Sequence, residues 1–150
     1  MTMEEMEAQA IQMMLKRFHC SQATATVGMK KLGIESYHIV KAMGAFGGGL
    51  GGNGEVCGAL VGGLAVIGLI FSRGKDEELE DIRMWHFTRE FTNRFSREIG
   101  GGSILCRDII QVDWTNRDQV REFYRGKSRK CIELVGKTAR LLGETIEKIT

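Results

Sequence analysis

Apolar residues recur every three to four positions along most of the chain, which is the spacing of one face of an α-helix. No alternating run of β-branched residues is long enough to predict a strand. Five acids between residues 76 and 81 are placed in the first turns of a helix, because the helix dipole favours negative charge there. The pattern predicts helices over residues 3–18, 21–32, 36–43, about 55 to 74, about 76 to 99, from about 117, and 128–148. The predicted fold is therefore a single all-α domain, residues 1–150, built as a bundle of about six helices.

A glycine-dense loop, residues 44–54, precedes the most apolar of these helices. The apolar run, residues 59–71, is shorter than the roughly 20 residues that a membrane-spanning helix needs. It therefore predicts a buried core helix and no stable membrane insertion. Its glycines suit close packing, either within the domain or against a second copy of the chain, so a homodimer is an open alternative.

The loop also contains the letters G-x-G-x-x-G, at residues 49–54. A dinucleotide site would need a strand before this loop within a βαβ unit, and residues 37–43 are weak as a strand. A phosphate-binding loop would need a Gly-Lys-Ser/Thr sequence, which is absent. Glycine also lets the backbone approach a bound group closely and direct N–H groups towards it. The candidate cofactor-binding positions are Gly49, Gly51, Gly52 and Gly54, for a sulfur-ligated cofactor or an anion, with helix packing as the alternative.

Composition narrows the function classes. Apolar residues at 43% and charged residues at 27% are typical of a globular domain, and the net charge of +2 gives no basis for nucleic-acid binding. Residues 1–7 are acidic and lack the pattern of a secretory signal, so a cytoplasmic location is expected. Cysteines in that compartment are more often redox groups, metal ligands or free thiols than structural disulfides.

Four cysteines, Cys20, Cys57, Cys106 and Cys131, are the main candidates for chemistry. None belongs to a C-x-x-C motif, and a buried cysteine is often only a small apolar side chain. The first three fall near the predicted start of a helix or turn, where the helix N-terminus stabilises the thiolate that acts as nucleophile and metal ligand. Cys131 lies on the apolar stripe of the last helix, so its own context predicts a core residue.

The sequence around these cysteines resembles the family of redox-active proteins named for a C-GCAxxG-C-C pattern. The central match spans residues 53–60, and residues 20–23, 106–110 and 129–135 supply the other three cysteines. The resemblance covers roughly residues 18–143. The literal G-C-A-x-x-G is absent, since Val56 precedes Cys57 and Gly58 follows it.

The resemblance implies redox or cluster chemistry, with the four thiols converging in a pocket under the glycine loop. In one form, all four cysteines ligate a metal ion or an iron–sulfur cluster. In the other, Cys57 is the nucleophile of a dithiol that cycles with Cys20, and Glu55 or His19 moves the proton. A redox partner protein fits either form. The alternatives are an enzyme with a non-metal cofactor and a structural or partner-binding domain whose cysteines only pack.

Overall fold

The computed structural model describes all residues from Met1 to Thr150. Its helices of six or more residues are α1 Met3–Leu15, α2 Cys20–Lys31, α3 Tyr37–Ala42, α5 Gly58–Phe71, α6 Arg83–Arg94, α8 Arg117–Glu122 and α9 Ser128–Ile149. The shorter helical segments are α4 Gly47–Leu50 and α7 Cys106–Ile109, a 3₁₀ turn Met43–Phe46, and two π-helical turns, Phe95–Ile99 and Phe123–Lys127. The chain forms no strand, and one isolated antiparallel bridge pairs Val56 with Leu105. The predicted all-α fold is confirmed.

The acidic segment is where the helix prediction was wrong. Residues 72–82 form no helix, and α6 begins only at Arg83. One of the five acids contacts the helix start, since the carboxylate of Asp81 accepts a hydrogen bond from the Arg83 backbone N–H at 2.9 Å. The other four acids are exposed in the segment between α5 and α6. Charged side chains can be solvated by water there without forming part of a helix.

The end of α1 also differs from the prediction, since the helix stops at Leu15 and not at Phe18. The Phe18 N–H donates to the Met13 carbonyl at 3.1 Å, and the Arg17 N–H donates to the Met14 carbonyl at 3.0 Å. This pair of bonds is the Schellman motif, which requires a left-handed residue after the helix. Arg17 takes that conformation, with φ at 68°. The chain turns sharply there, and α2 begins at Cys20, one residue before the predicted N-cap Ser21.

The core is a single cluster of buried side chains in which α1, α2, α5 and α9 pack together. The crossing of α2, α5 and α9 depends on Gly28, because a Cβ there would lie 2.6 Å from Val66 Cγ2 and 2.7 Å from Leu142 Cδ2. The apolar helix α5 begins at Gly58, three residues later than predicted, and contributes buried residues throughout its length. No helix combines the length and the apolar character that crossing a membrane requires.

Candidate functional site

All four cysteines line one cavity of about 250 Å³. Cys20 is the first residue of α2, Cys57 immediately precedes α5, Cys106 is the first residue of α7, and Cys131 lies in the first turn of α9. Each is a free thiol. Cys20, Cys57 and Cys106 are buried, whereas Cys131 is partly exposed. The fold therefore brings together four side chains that are far apart in the sequence.

Backbone hydrogen bonds hold Cys57 and Cys106 beside each other. The Cys57 N–H donates to the Ile104 carbonyl at 2.8 Å, and the Cys106 N–H donates to the Glu55 carbonyl at 2.7 Å. The bridge between Val56 and Leu105 lies between these two bonds. Main-chain bonds therefore hold the backbone segments that carry these two cysteines against each other.

Close packing of α2 on α5 sets the position of Cys20. A Cβ at Gly58 would lie 2.5 Å from the Cys20 Sγ, so only glycine leaves room for that thiol over the start of α5. The Thr24 hydroxyl donates to the Ala59 carbonyl at 2.9 Å, and this bond crosses between the two helices. Cys20 and Cys57 therefore belong to the same helix–helix contact.

Aromatic side chains form another wall of the cavity. The Trp114 indole N–H donates to the Cys106 sulfur, with 3.4 Å between Nε1 and Sγ. Phe123 packs edge-on against Trp114, with ring centroids 4.9 Å apart. Phe123 begins a π-helical turn that ends at Lys127, immediately before α9 and Cys131. Such turns are rare and occur often at functional sites. The sequence analysis predicted neither Trp114 nor this π turn as part of the site.

The glycine loop contacts the cavity through a residue that the sequence did not single out. Gly48, with φ at 65°, lines the cavity. The predicted Gly49 is buried against the Cys106 segment, where a Cβ would lie 2.8 Å from the Cys106 Cβ. The other predicted glycines, Gly51, Gly52 and Gly54, lie outside the cavity lining. Their N–H groups donate within the loop, to the carbonyls of Gly47 and Gly48, and are not directed at a bound group.

The predicted proton carriers lie in different places. His19 lines the cavity. The carboxylate of Glu55 lies outside it and pairs with Arg107 at 3.2 Å. No aspartate or glutamate lines the cavity. Of the two groups proposed to move a proton, only His19 is therefore adjacent to the thiols.

Burial keeps the thiols neutral in the metal-free protein. It raises the pKa of Cys57 from 9.0 to about 12, with Cys20 as the second cause. Burial likewise raises the pKa of Cys20, Cys106 and Cys131, and the other three thiols add to the increase at Cys131. The Trp114 hydrogen bond opposes part of the increase at Cys106, and the backbone of Gly48 does so at Cys20. Loss of hydration therefore outweighs the helix-start effect on which the sequence prediction relied.

This raised pKa predicts that the metal-free, reduced protein loses stability in alkali. Below about pH 9 the Cys57 thiol is neutral in both states, so its contribution is fully present. Between pH 9 and about 12, the unfolded chain has lost this proton and the folded chain retains it. The free energy of unfolding should then fall by about 1.4 kcal/mol per pH unit for this group. Urea unfolding at several pH values measures the slope, and Cys57→Ala should reduce it; an unchanged slope in that variant would contradict the prediction.

The donor set fits a thiolate-bound group, although the side chains are not arranged around a single point. Four cysteine sulfurs are the usual ligands of structural zinc and of iron–sulfur clusters. No three of the Cys, His, Asp and Glu side chains are grouped closely enough to hold one metal ion. A bound cation would offset the burial that keeps these thiols protonated, since coordination deprotonates a thiol.

Comparison with known proteins gives one match. Residues 18–145 match the family model described as "Putative redox-active protein (C_GCAxxG_C_C)". The matched region contains all four cysteines and confirms the resemblance seen in the sequence. No curated protein and no solved structure matches the chain.

Proposed function

Because that match covers most of the chain, the protein belongs to the C_GCAxxG_C_C family, and we propose that it is redox-active and that its four cysteines ligate an iron–sulfur cluster. The observation that carries the proposal is the single cavity lined by Cys20, Cys57, Cys106 and Cys131. When bound, such a cluster supplies one-electron transfer. The protein would then serve as an electron-transfer module or as the redox centre of an oxidoreductase.

A cluster requires less convergence of the four thiols than a single metal ion does. In a tetrahedral zinc site, all four sulfurs lie about 2.3 Å from one ion. In a four-iron cluster each cysteine binds a different iron, so the sulfurs lie farther apart. All four cysteines line one cavity, and ligation of a cluster does not require three of their sulfurs to converge on one point.

The size and chemistry of the cavity argue against a large organic cofactor. At about 250 Å³, the cavity is smaller than the roughly 300–1,000 Å³ typical of sites for drug-sized ligands. Three of the loop glycines, Gly51, Gly52 and Gly54, use their N–H groups within the loop. A compact, sulfur-ligated group therefore agrees better with the site than a nucleotide or flavin does.

Residues of the chain would tune such a site through hydrogen bonds and exclusion of water. The Trp114 N–H donates to the Cys106 sulfur, and hydrogen bonds to ligating sulfurs are one determinant of cluster potential. Buried Phe123 and the partly buried Ile110 restrict water on the same wall.

Anaerobic reconstitution tests the proposal directly. Reduced, metal-free protein is incubated with iron and sulfide, then desalted and assayed for iron, sulfide and visible absorption. We expect iron and sulfide in fixed ratio to protein and an absorption that bleaches on reduction. A colourless protein without iron after this treatment would refute cluster binding, and a parallel incubation with zinc would reveal a single-ion site.

Dithiol cycling is the second candidate, because Cys20 and Cys57 are close enough for one thiol to raise the pKa of the other. Oxidised glutathione would accept two electrons and two protons from this pair, leaving a protein disulfide and two glutathione thiols. The raised pKa of Cys57 disfavours fast attack, since the thiolate is the nucleophile. Mass spectrometry of oxidised, metal-free protein would identify a disulfide between residues 20 and 57 if this candidate is correct.

A further inference from the structure

Arg17 lies at the mouth of the cysteine cavity in a strained backbone conformation. Its φ of 68° places it in the left-handed region, at the position after α1 that glycine usually occupies. A side chain with a Cβ is disfavoured there, and such strain in a structure often accompanies a functional role. Glycine would form the same turn without strain, so the shape of the turn does not explain an arginine.

The guanidinium of Arg17 is positioned but not neutralised. It stacks on the Tyr124 ring, with Cζ 5.0 Å from the ring centroid. Stacking fixes the plane of the group and leaves its N–H edges available for a partner. Arg17 takes part in none of the ion pairs of the structure, whereas neighbouring Lys127 and Arg129 pair with Glu122 and Glu133.

The rest of the cavity favours an anion with an apolar body. Arg17 is the only arginine in the lining, which contains no lysine and no carboxylate; His19 is the other basic side chain there. Apart from the cysteines, most of the lining side chains are apolar, and they include Met14, Phe18 and Ile132. A planar carboxylate matches the two parallel N–H groups that one edge of a guanidinium presents.

We propose that the mouth of this cavity binds a small carboxylate with an apolar body, held by Arg17 beside the cysteines. The carboxylate accepts hydrogen bonds from the guanidinium edge, and the apolar part contacts the aromatic and aliphatic wall. Binding itself requires no cluster; only the role of the carboxylate as a reactant of the redox centre rests on the proposed function.

Isothermal titration calorimetry with benzoate and its neutral analogue benzamide tests the site. The full-length protein is titrated in the reduced, metal-free form and after incubation with iron and sulfide. We expect saturable binding of benzoate to the wild type and at least tenfold weaker binding of benzamide, because the charge-assisted hydrogen bonds are lost. Arg17→Gly should weaken benzoate binding at least tenfold, while its melting temperature stays equal or rises because the backbone strain is relieved.

Gln111 provides a matched control, because it is also a non-glycine residue with positive φ, at 59°, and does not line this cavity. Gln111→Gly should relieve strain in the same way and leave benzoate affinity unchanged. The proposal is overturned if Arg17→Gly binds benzoate as tightly as the wild type, if benzamide binds equally well, or if benzoate does not saturate. Failure of iron loading with intact benzoate binding would count against the cluster alone.

Discussion

Replacing Cys57 with serine is expected to remove most of the iron that the reconstituted protein binds. Cys57 is buried at 4% exposure, and backbone bonds hold its segment against that of Cys106. A serine hydroxyl has nearly the same shape but does not ionise to a thiolate, so it offers a cluster no comparable ligand. The affinity of the site for the cluster should fall more than about tenfold, since even changes to outer-shell partners of a metal site cost about 10- to 100-fold in affinity. The iron that remains with the protein after desalting should fall as a result.

Met14→Leu is the control for this variant, because Met14 lines the same cavity without offering a thiolate, and the substitution nearly conserves volume. It should retain the iron content of the wild type. Circular dichroism of both variants checks that the helices are intact. A folded Cys57→Ser protein with full iron content would contradict cluster ligation by Cys57, whose thiol would then serve only in packing.

The cysteines show how far sequence reasoning can reach for the site. The sequence predicted that Cys20, Cys57 and Cys106 lie near helix starts, because capping residues and glycines are local signals of a helix start. For Cys131, the apolar stripe of the last helix predicts a core residue. Only the resemblance to a family grouped Cys131 with the other three cysteines. In the structure it lines the same cavity, in the first turn of α9, which follows directly on the π turn after α8.

The features that were missed depend on contacts distant in sequence. The pairing of residues 55–57 with residues 104–106 joins two loops, and no local sequence pattern predicts it. Trp114 reaches the Cys106 sulfur through that same arrangement. Arg17 has no sequence signal for positive φ, because the left-handed turn after a helix is normally predicted from glycine or asparagine. The helix prediction for the acidic segment was wrong for the opposite reason. The acids have a local preference for helix starts, but the segment has no apolar face to bury.

Replacing Gly62 with alanine is expected to destabilise the fold and to disturb the cysteine site with it. A Cβ at this position of α5 would collide with the Ser21 carbonyl and the Thr24 hydroxyl of α2, and would lie 3.1 Å from the Ala25 nitrogen. Backbone atoms cannot rotate away, so α2 and α5 must separate. Overpacking of this kind costs about 1–3 kcal/mol of unfolding free energy. The same separation would move Cys20 away from Cys57, so iron retention should fall as well.

Gly68→Ala distinguishes this packing effect from the intrinsic effect of alanine in a helix. Gly68 lies in the same helix, and no atom lies within 4 Å of a Cβ built there. Alanine favours the helix over glycine by up to about 1 kcal/mol, so this variant should be as stable as the wild type or more stable. Urea unfolding of the metal-free, reduced proteins compares the two. Equal stability of both variants would show that α2 and α5 tolerate separation, and the close contact at Gly62 would then not be what brings the first two thiols together.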